Sequence, residues 1–210
     1  MNLPNKLTVL RIILTFVFMF FLFLSQDKTD LITTGIDKVN KPMIFGFLAL
    51  LTFALAAITD FLDGYIARTR NIVTEFGKFM DPIADKILIL CPFLAFVEMD
   101  IIPAWMVLII FSREITITSL RLLAASQGRI VAATRAGKHK TVWQFIGIFV
   151  ILTFLFAKGL YVRLFYFWDP DIEYWSHIII YYLMIIIVFL TMASGAIIVW
   201  RNRFIFYEKK

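Results

Sequence analysis

Six apolar stretches constrain this chain more than any other feature of its sequence. They cover residues 7–24, 43–59, 83–97, 103–123, 142–157 and 178–200. A helix needs about 20 residues to cross a hydrocarbon core of about 30 Å. The third and fifth stretches are shorter, so we expect their helices to extend into the flanking residues. The pattern predicts an all-α polytopic membrane protein with six transmembrane helices.

The composition disfavours the other broad classes of protein. Of the 210 residues, 61% are apolar and 17% are charged, whereas soluble domains have roughly 45–50% and about 25%. A soluble globule of this size does not hide so much apolar surface, and disordered chains contain far less of it. The single cysteine, Cys91, excludes an intramolecular disulfide and a cysteine-based zinc site. With no internal repeat or linker in view, we expect one domain covering residues 1–210.

The basic residues predict the orientation of the chain in the membrane. The net charge of +6 is typical of cytoplasmic loops that contact anionic lipid headgroups, and we expect no nucleic-acid partner. With the N-terminus inside, 16 of the 21 Lys and Arg residues fall on the cytoplasmic side and 5 outside. We therefore expect a multi-pass protein of the cell membrane with both termini in the cytoplasm. Residues 2–7 are expected to form a short interfacial segment, and residues 158–177 an outer loop.

Four aspartates lie at the ends of the second and third stretches, namely Asp60, Asp63, Asp81 and Asp85. At 100° per residue, Asp63 lies about 60° from Asp60 on a helix, and Gly64 and Ala67 fall near the same stripe. On the next helix, Gly77 precedes the other two aspartates at intervals of four residues. Each pair of carboxylates therefore shares a face with residues that have almost no side chain, which leaves room for a ligand.

These carboxylates predict a metal site. Single aspartates at helix ends are usually caps or solvated charges, and the sequence leaves open whether Pro82 makes Asp81 a cap or kinks its helix. Four clustered carboxylates near a bilayer are different, because they repel one another and are costly to bury unpaired. A divalent cation removes both penalties. Oxygen ligands of this kind suit Mg²⁺ or Mn²⁺, and four of them are enough for two ions.

The segment from Asp60 to Asp85 follows the pattern Asp-x2-Asp-Gly-x2-Ala-Arg-x8-Gly-x3-Asp-x3-Asp. This pattern resembles the signature of the CDP-alcohol phosphatidyltransferases. Residues 2–11, 112–115 and 135–144 are similar to segments of the bacterial phosphatidylglycerophosphate synthases of that family. The resemblance extends to about Gln144. It implies a six-helix homodimer with a two-metal site open to the cytoplasm, which transfers a phosphatidyl group from CDP-diacylglycerol to an alcohol and releases CMP.

The resemblance also implies a role for each residue of the signature. Asp60, Asp63 and Asp81 are expected to bind metal, and Asp85 is expected to act as the general base and to touch a metal as well. The remaining positions, together with Asp60, are expected to receive the CDP-lipid. The small residues Gly64, Ala67 and Gly77 are expected to leave space for the nucleotide. Arg68 is expected to reach the pyrophosphate.

An anionic acceptor, glycerol 3-phosphate, fits the remaining basic residues. Arg113 lies near the middle of the fourth stretch, where a charge is expensive. Adjacent side chains on a helix point about 100° apart, so Arg113 and Glu114 are each expected to have a partner elsewhere. The residues expected to bind the acceptor phosphate are Arg113, Arg121, Lys138 and Lys140. A structural ion pair and a simple topology signal remain the alternatives.

The N-terminal polar residues and the other possible functions complete the expectations. Asn5, Thr8 and Arg11 are expected either to line the mouth of the pocket or to anchor the chain at the membrane interface. Serine, inositol phosphate or a second phosphatidylglycerol are alternative acceptors. An intramembrane prenyltransferase is a further alternative, although its two aspartate motifs normally lie on distant helices. An ion or metal transporter would explain intramembrane carboxylates, but no matched pair of broken helices supports it.

Overall fold

The computed structural model describes residues 2–26, 35–70, 75–128 and 135–203, and within these ranges the chain is helical with no strand. The prediction of an all-α membrane protein with six helices is confirmed. Their bounds are α1 Leu3–Ser25, α2 Gly35–Arg70, α3 Glu75–Glu98, α4 Ala104–Ser126, α5 Arg135–Phe165 and α6 Pro170–Arg201.

Four of the six helices, α1, α2, α5 and α6, are long and apolar enough to cross a membrane. The helices α3 and α4 have 24 and 23 residues, but charged side chains interrupt their apolar runs. Large apolar side chains also cover the outer surface; Phe16, Phe20 and Phe189, for example, are exposed. A water-soluble protein would bury such groups, whereas a bilayer solvates them.

The helices continue well beyond the apolar stretches that revealed them. The first helix begins at Leu3 with Pro4 in its first turn, a position that suits proline. The expected interfacial segment is therefore the start of α1 and no separate element. The outer loop expected at 158–177 is also much shorter, because α5 continues to Phe165 and α6 begins at Pro170. The side chain of Asp169 caps α6 by accepting a hydrogen bond from the backbone N–H of Asp171.

The helices pack in two groups that share α5. The N-terminal group joins α1 to α2 and α3, and α2 to α5; the C-terminal group joins α6 to α4 and α5. Aromatic rings pack in the core of the N-terminal group, with Phe53 of α2 5.5 Å from Phe18 of α1 and 5.1 Å from Phe149 of α5, between ring centroids. This arrangement brings α1, α2 and α3 together around the four aspartates.

Candidate active site

The four aspartates, which we call the acidic cluster, project from α2 and α3. Asp60 and Asp63 lie ten and seven residues before the end of α2, and Asp81 and Asp85 lie in the first half of α3. The helix α3 continues through Pro82 from Glu75 to Glu98. Asp81 is therefore inside the helix and does not cap it, which resolves the question that the sequence left open.

Arg11 of α1 holds three members of the acidic cluster together. Its Nη1 lies 2.8 Å from Oδ1 of Asp60 and also pairs with Asp85, while its Nη2 pairs with Asp63. The guanidinium is almost completely buried, as is Asp63, whereas Asp60 and Asp85 are more exposed. A buried arginine is stable only with such partners, so the N-terminal helix is an integral part of the site.

Thr8 of α1 binds the fourth aspartate. Its hydroxyl donates to Oδ1 of Asp81 at 2.8 Å, one helical turn before Arg11. Asn5, Thr8 and Arg11 are all buried. Their burial argues against the alternative that they anchor the chain at the membrane interface. The sequence analysis did not predict these contacts. The signal for them was an arginine within an apolar stretch, since such a charge needs an anionic partner.

The acidic cluster has the chemistry of a divalent-cation site. Among the described residues, no three His, Cys, Asp or Glu side chains are placed to hold one metal ion as they stand. The carboxylates nevertheless converge, since three of them contact a single guanidinium. Hard carboxylate oxygens that share one cation are the donors that Mg²⁺ and Mn²⁺ prefer. The donor set therefore fits a divalent metal.

The small residues of the signature lie next to the acidic cluster. Gly64 follows Asp63 on α2 and is partly exposed, and Gly77 lies buried one turn before Asp81 on α3. Ala67 and Arg68 belong to α2, but their side chains lie outside the described residues. The same holds for the side chain of Lys138 at the start of α5.

A second polar group, which we call the Arg113 cluster, joins α4, α5 and α6. Arg113 donates from Nη2 to Oγ of Ser194 and from Nη1 to Oε1 of Glu114, both at 3.1 Å. Lys140 pairs with the same Glu114 oxygen. The angle of about 100° between adjacent side chains predicts no direct contact of Arg113 with Glu114, and this prediction is wrong. Each residue also has the expected partner elsewhere.

The Arg113 cluster suits an anionic ligand. Arg113 and Lys140 are both buried, and within the described ranges these two cations share the one carboxylate of Glu114. One positive charge is thus left without a paired anion. Because the cluster is buried, this charge attracts an anion more strongly than a solvated charge would. Arg121 is exposed but its charge acts on Arg113, so it adds to the positive potential.

The last helix completes the Arg113 cluster. Ser194 of α6 binds Arg113, and a Cβ at the neighbouring Gly195 would lie only 2.9 Å from Cγ of Arg113. A glycine is needed there for α6 to approach the arginine so closely. Sequence reasoning found no specific signal in α6, and nothing short of the tertiary contact would have provided one.

The two clusters are neighbours in the fold. Lys86 follows Asp85 directly on α3, and its charge acts on Lys140 of α5. An acidic cluster that fits cations therefore adjoins a buried basic group that fits an anion.

Comparisons with known proteins find relatives over most of the length of this chain. A Bacillus subtilis (strain 168) protein described as CDP-diacylglycerol–glycerol-3-phosphate 3-phosphatidyltransferase is 40% identical over 185 residues, which cover 83% of this chain and 94% of that protein. Proteins with the same description from Rickettsia felis and Mycoplasma pneumoniae are 36% and 32% identical, over 75% and 76% of this chain and 77% and 70% of their own lengths. The model of the CDP-alcohol phosphatidyltransferase family matches residues 1–206, and the chain belongs to this family.

Proposed function

We propose that this protein transfers the phosphatidyl group of CDP-diacylglycerol to glycerol 3-phosphate, giving phosphatidylglycerol phosphate and CMP. The observation that carries the proposal is the adjacency of the acidic cluster and the Arg113 cluster within a membrane-embedded helical fold. The descriptions of the similar proteins name this reaction. The chain is thus an enzyme of phospholipid synthesis.

The acidic cluster is proposed to serve the donor lipid. Enzymes of this family generally use a divalent metal, and we assign Mg²⁺ or Mn²⁺, as two ions, to Asp60, Asp63, Asp81 and Asp85. When bound, the cations neutralise charge on the pyrophosphate. Gly64, Gly77 and Ala67 leave room for the nucleotide, and Arg68 supplies a fixed positive charge to the pyrophosphate.

The proposed chemical step is a single displacement at phosphorus. The acceptor's primary hydroxyl oxygen forms a bond to the phosphorus of the lipid-linked phosphate, and the bond between that phosphorus and the CMP oxygen breaks. The hydroxyl proton passes to a carboxylate, for which Asp85 is the best placed because its side chain is the most exposed of those that contact Arg11. CMP leaves with the electron pair of the broken bond.

The Arg113 cluster is proposed to hold the acceptor phosphate. The forked guanidinium of Arg113 suits two phosphate oxygens, and Lys140 adds a point charge; Arg121 and Lys138 extend the basic surface. Serine lacks a phosphate and would leave this buried charge unused. The geometry therefore favours a phosphorylated acceptor, and glycerol 3-phosphate is the one named by the similar proteins.

The remaining features of the proposal concern the assembly and its place in the cell. We place the chain in the cell membrane as a multi-pass homodimer, surrounded by lipids, with residues 1–210 as one domain. The excess of basic residues on one side of the helices supports a cytoplasmic location for both termini and for the active site.

Release of CMP tests the proposed function directly. Purified protein in detergent is given CDP-diacylglycerol with or without glycerol 3-phosphate, and CMP is measured. We expect release that depends on the acceptor, stops in excess chelator and returns with Mg²⁺ or Mn²⁺. The variants Asp60→Asn, Asp63→Asn and Asp81→Asn should be folded and inactive. Full activity in excess chelator would exclude the metal assignment, and absence of CMP would exclude the reaction.

A further inference from the structure

Outside the two clusters, two buried side chains of the described residues carry a polar atom with no hydrogen-bond partner. Gln144 of α5 is 1% exposed, and Thr191 of α6 is fully buried. Within the described residues, neither Nε2 of Gln144 nor Oγ1 of Thr191 has a hydrogen-bond partner. Native proteins leave few buried polar atoms unpaired, because the desolvation is then not compensated. Two such atoms therefore require an explanation.

The register of α5 and α6 brings these two residues to the same level. The helices are consecutive and antiparallel, joined at residues 166–169. A Cβ at Gly147 of α5 would meet the side chain of Ile187 of α6, which fixes the register at that point. Gln144 lies three residues before this glycine, and Thr191 lies four residues after this isoleucine. One helical turn on each helix thus leads from the contact to Gln144 and Thr191.

The same register places the pair next to the Arg113 cluster. Lys140 lies four residues before Gln144 on α5, and Ser194 lies three residues after Thr191 on α6. Ser194 binds Arg113, and Lys140 pairs with Glu114. About one helical turn along each helix therefore separates Gln144 and Thr191 from Lys140 and Ser194, which belong to the Arg113 cluster.

We propose that Gln144 and Thr191 form a subsite for the acceptor hydroxyl that does not react, the C2 hydroxyl of glycerol 3-phosphate. This inference rests on the proposed function, since it takes the phosphate at the Arg113 cluster as given. The C2 hydroxyl is on the carbon next to the one that carries the phosphate, so a phosphate held at the Arg113 cluster keeps this hydroxyl close to that cluster. A hydroxyl both donates and accepts, which matches an amide N–H on one side and a threonine oxygen on the other.

The test compares glycerol 3-phosphate with 3-hydroxypropyl phosphate, which has the same phosphate and primary hydroxyl but no C2 hydroxyl. The ratio of kcat/KM for the two acceptors is measured at saturating CDP-diacylglycerol. The parent should favour glycerol 3-phosphate by about tenfold or more, because a site built to bind a hydroxyl rejects an analogue that lacks it. In Gln144→Met and Thr191→Val the ratio should fall towards one.

Three features keep the test decisive. The ratio is measured within each variant, so a smaller folded fraction does not change it. Thr191→Ser keeps a hydroxyl and should keep the parent ratio. Thr52→Val is the matched control, because the Thr52 hydroxyl bonds to backbone oxygens of its own helix, and this variant should also keep the parent ratio.

The outcomes separate this inference from the proposed function. A parent that uses both acceptors equally well, or variants Gln144→Met and Thr191→Val that keep the parent ratio, would overturn the subsite and leave the reaction intact. A parent that releases no CMP with either acceptor would overturn the proposed function and the subsite with it.

Discussion

Removal of the Arg11 charge should destabilise the protein unless a divalent cation is present. In Arg11→Gln, three carboxylates lose their common counter-charge. The side chain of Asp63 is 9% exposed, whereas those of Asp60 and Asp85 are 36% and 59% exposed. Breaking a buried pair costs about 3–5 kcal/mol, and an exposed pair contributes at most about 1 kcal/mol. The pair with Asp63 therefore dominates, and we expect a loss of about 3–5 kcal/mol.

Thermal unfolding in detergent measures this effect. For a chain of this size, 1 kcal/mol shifts the melting temperature by about 2–4 °C, so Arg11→Gln in excess chelator should melt about 6–20 °C below the parent. Mg²⁺ should raise the melting temperature of the variant more than that of the parent, because the cation replaces the lost charge. An unchanged melting temperature, or an equal response to Mg²⁺, would refute the reasoning.

The matched control removes an ion pair far from the acidic cluster. Lys158 lies 2.8 Å from Oε1 of Glu173 where α5 and α6 meet, and both side chains are about one-third exposed. Lys158→Gln should therefore cost at most about 1 kcal/mol. Its melting temperature should respond to Mg²⁺ as that of the parent does.

Four further substitutions test the substrate sites and the packing of the helices. Arg113→Lys keeps the charge but loses the fork, so steady-state kinetics should show a KM for glycerol 3-phosphate about tenfold higher, with that for CDP-diacylglycerol unchanged. Gly64→Val should impair CDP-diacylglycerol binding instead. Gly159→Ala should lose about 1–3 kcal/mol in thermal unfolding, since its Cβ would lie 2.7 Å from the Met43 nitrogen, whereas at Gly46 the nearest atom is 3.6 Å away and Gly46→Ala should be tolerated.

Each of these has a result that would contradict it. Equal losses for both substrates in Arg113→Lys, with a lower melting temperature, would make Arg113 a structural residue. Unaltered binding of CDP-diacylglycerol by Gly64→Val would place the nucleotide elsewhere. Equal melting temperatures for the two alanine variants would show that α5 can move away from α2 at no cost.

The sequence predicted the fold because each membrane-spanning helix is marked by a continuous run of apolar residues along the chain. A bilayer requires about 20 apolar residues for each crossing, and the six apolar stretches approach or reach that length. The ends of the helices were less predictable, because backbone hydrogen bonds continue beyond the apolar core. Thus α2 covers Gly35–Arg70, although the apolar stretch that predicted it spans only residues 43–59.

The sequence predicted the acidic cluster but not what holds it together. Fixed spacing on two helices identified the aspartates, and the family resemblance that followed from them was confirmed. The contacts of Arg11 reach 52 and 74 residues along the chain, and no periodicity reports a pairing of that kind. The contact between Arg113 and Ser194 spans 81 residues, so the contribution of α6 was hidden for the same reason.

The identity of the lipid product tests the central claim most directly. Purified protein is given CDP-diacylglycerol, Mg²⁺ and equal concentrations of glycerol 3-phosphate, serine, inositol phosphate and phosphatidylglycerol, and the products are identified by mass spectrometry. We expect phosphatidylglycerol phosphate as the dominant product, in an amount equal to the CMP released. Phosphatidylserine, phosphatidylinositol phosphate or cardiolipin as the main product would contradict the assignment of the Arg113 cluster to glycerol 3-phosphate.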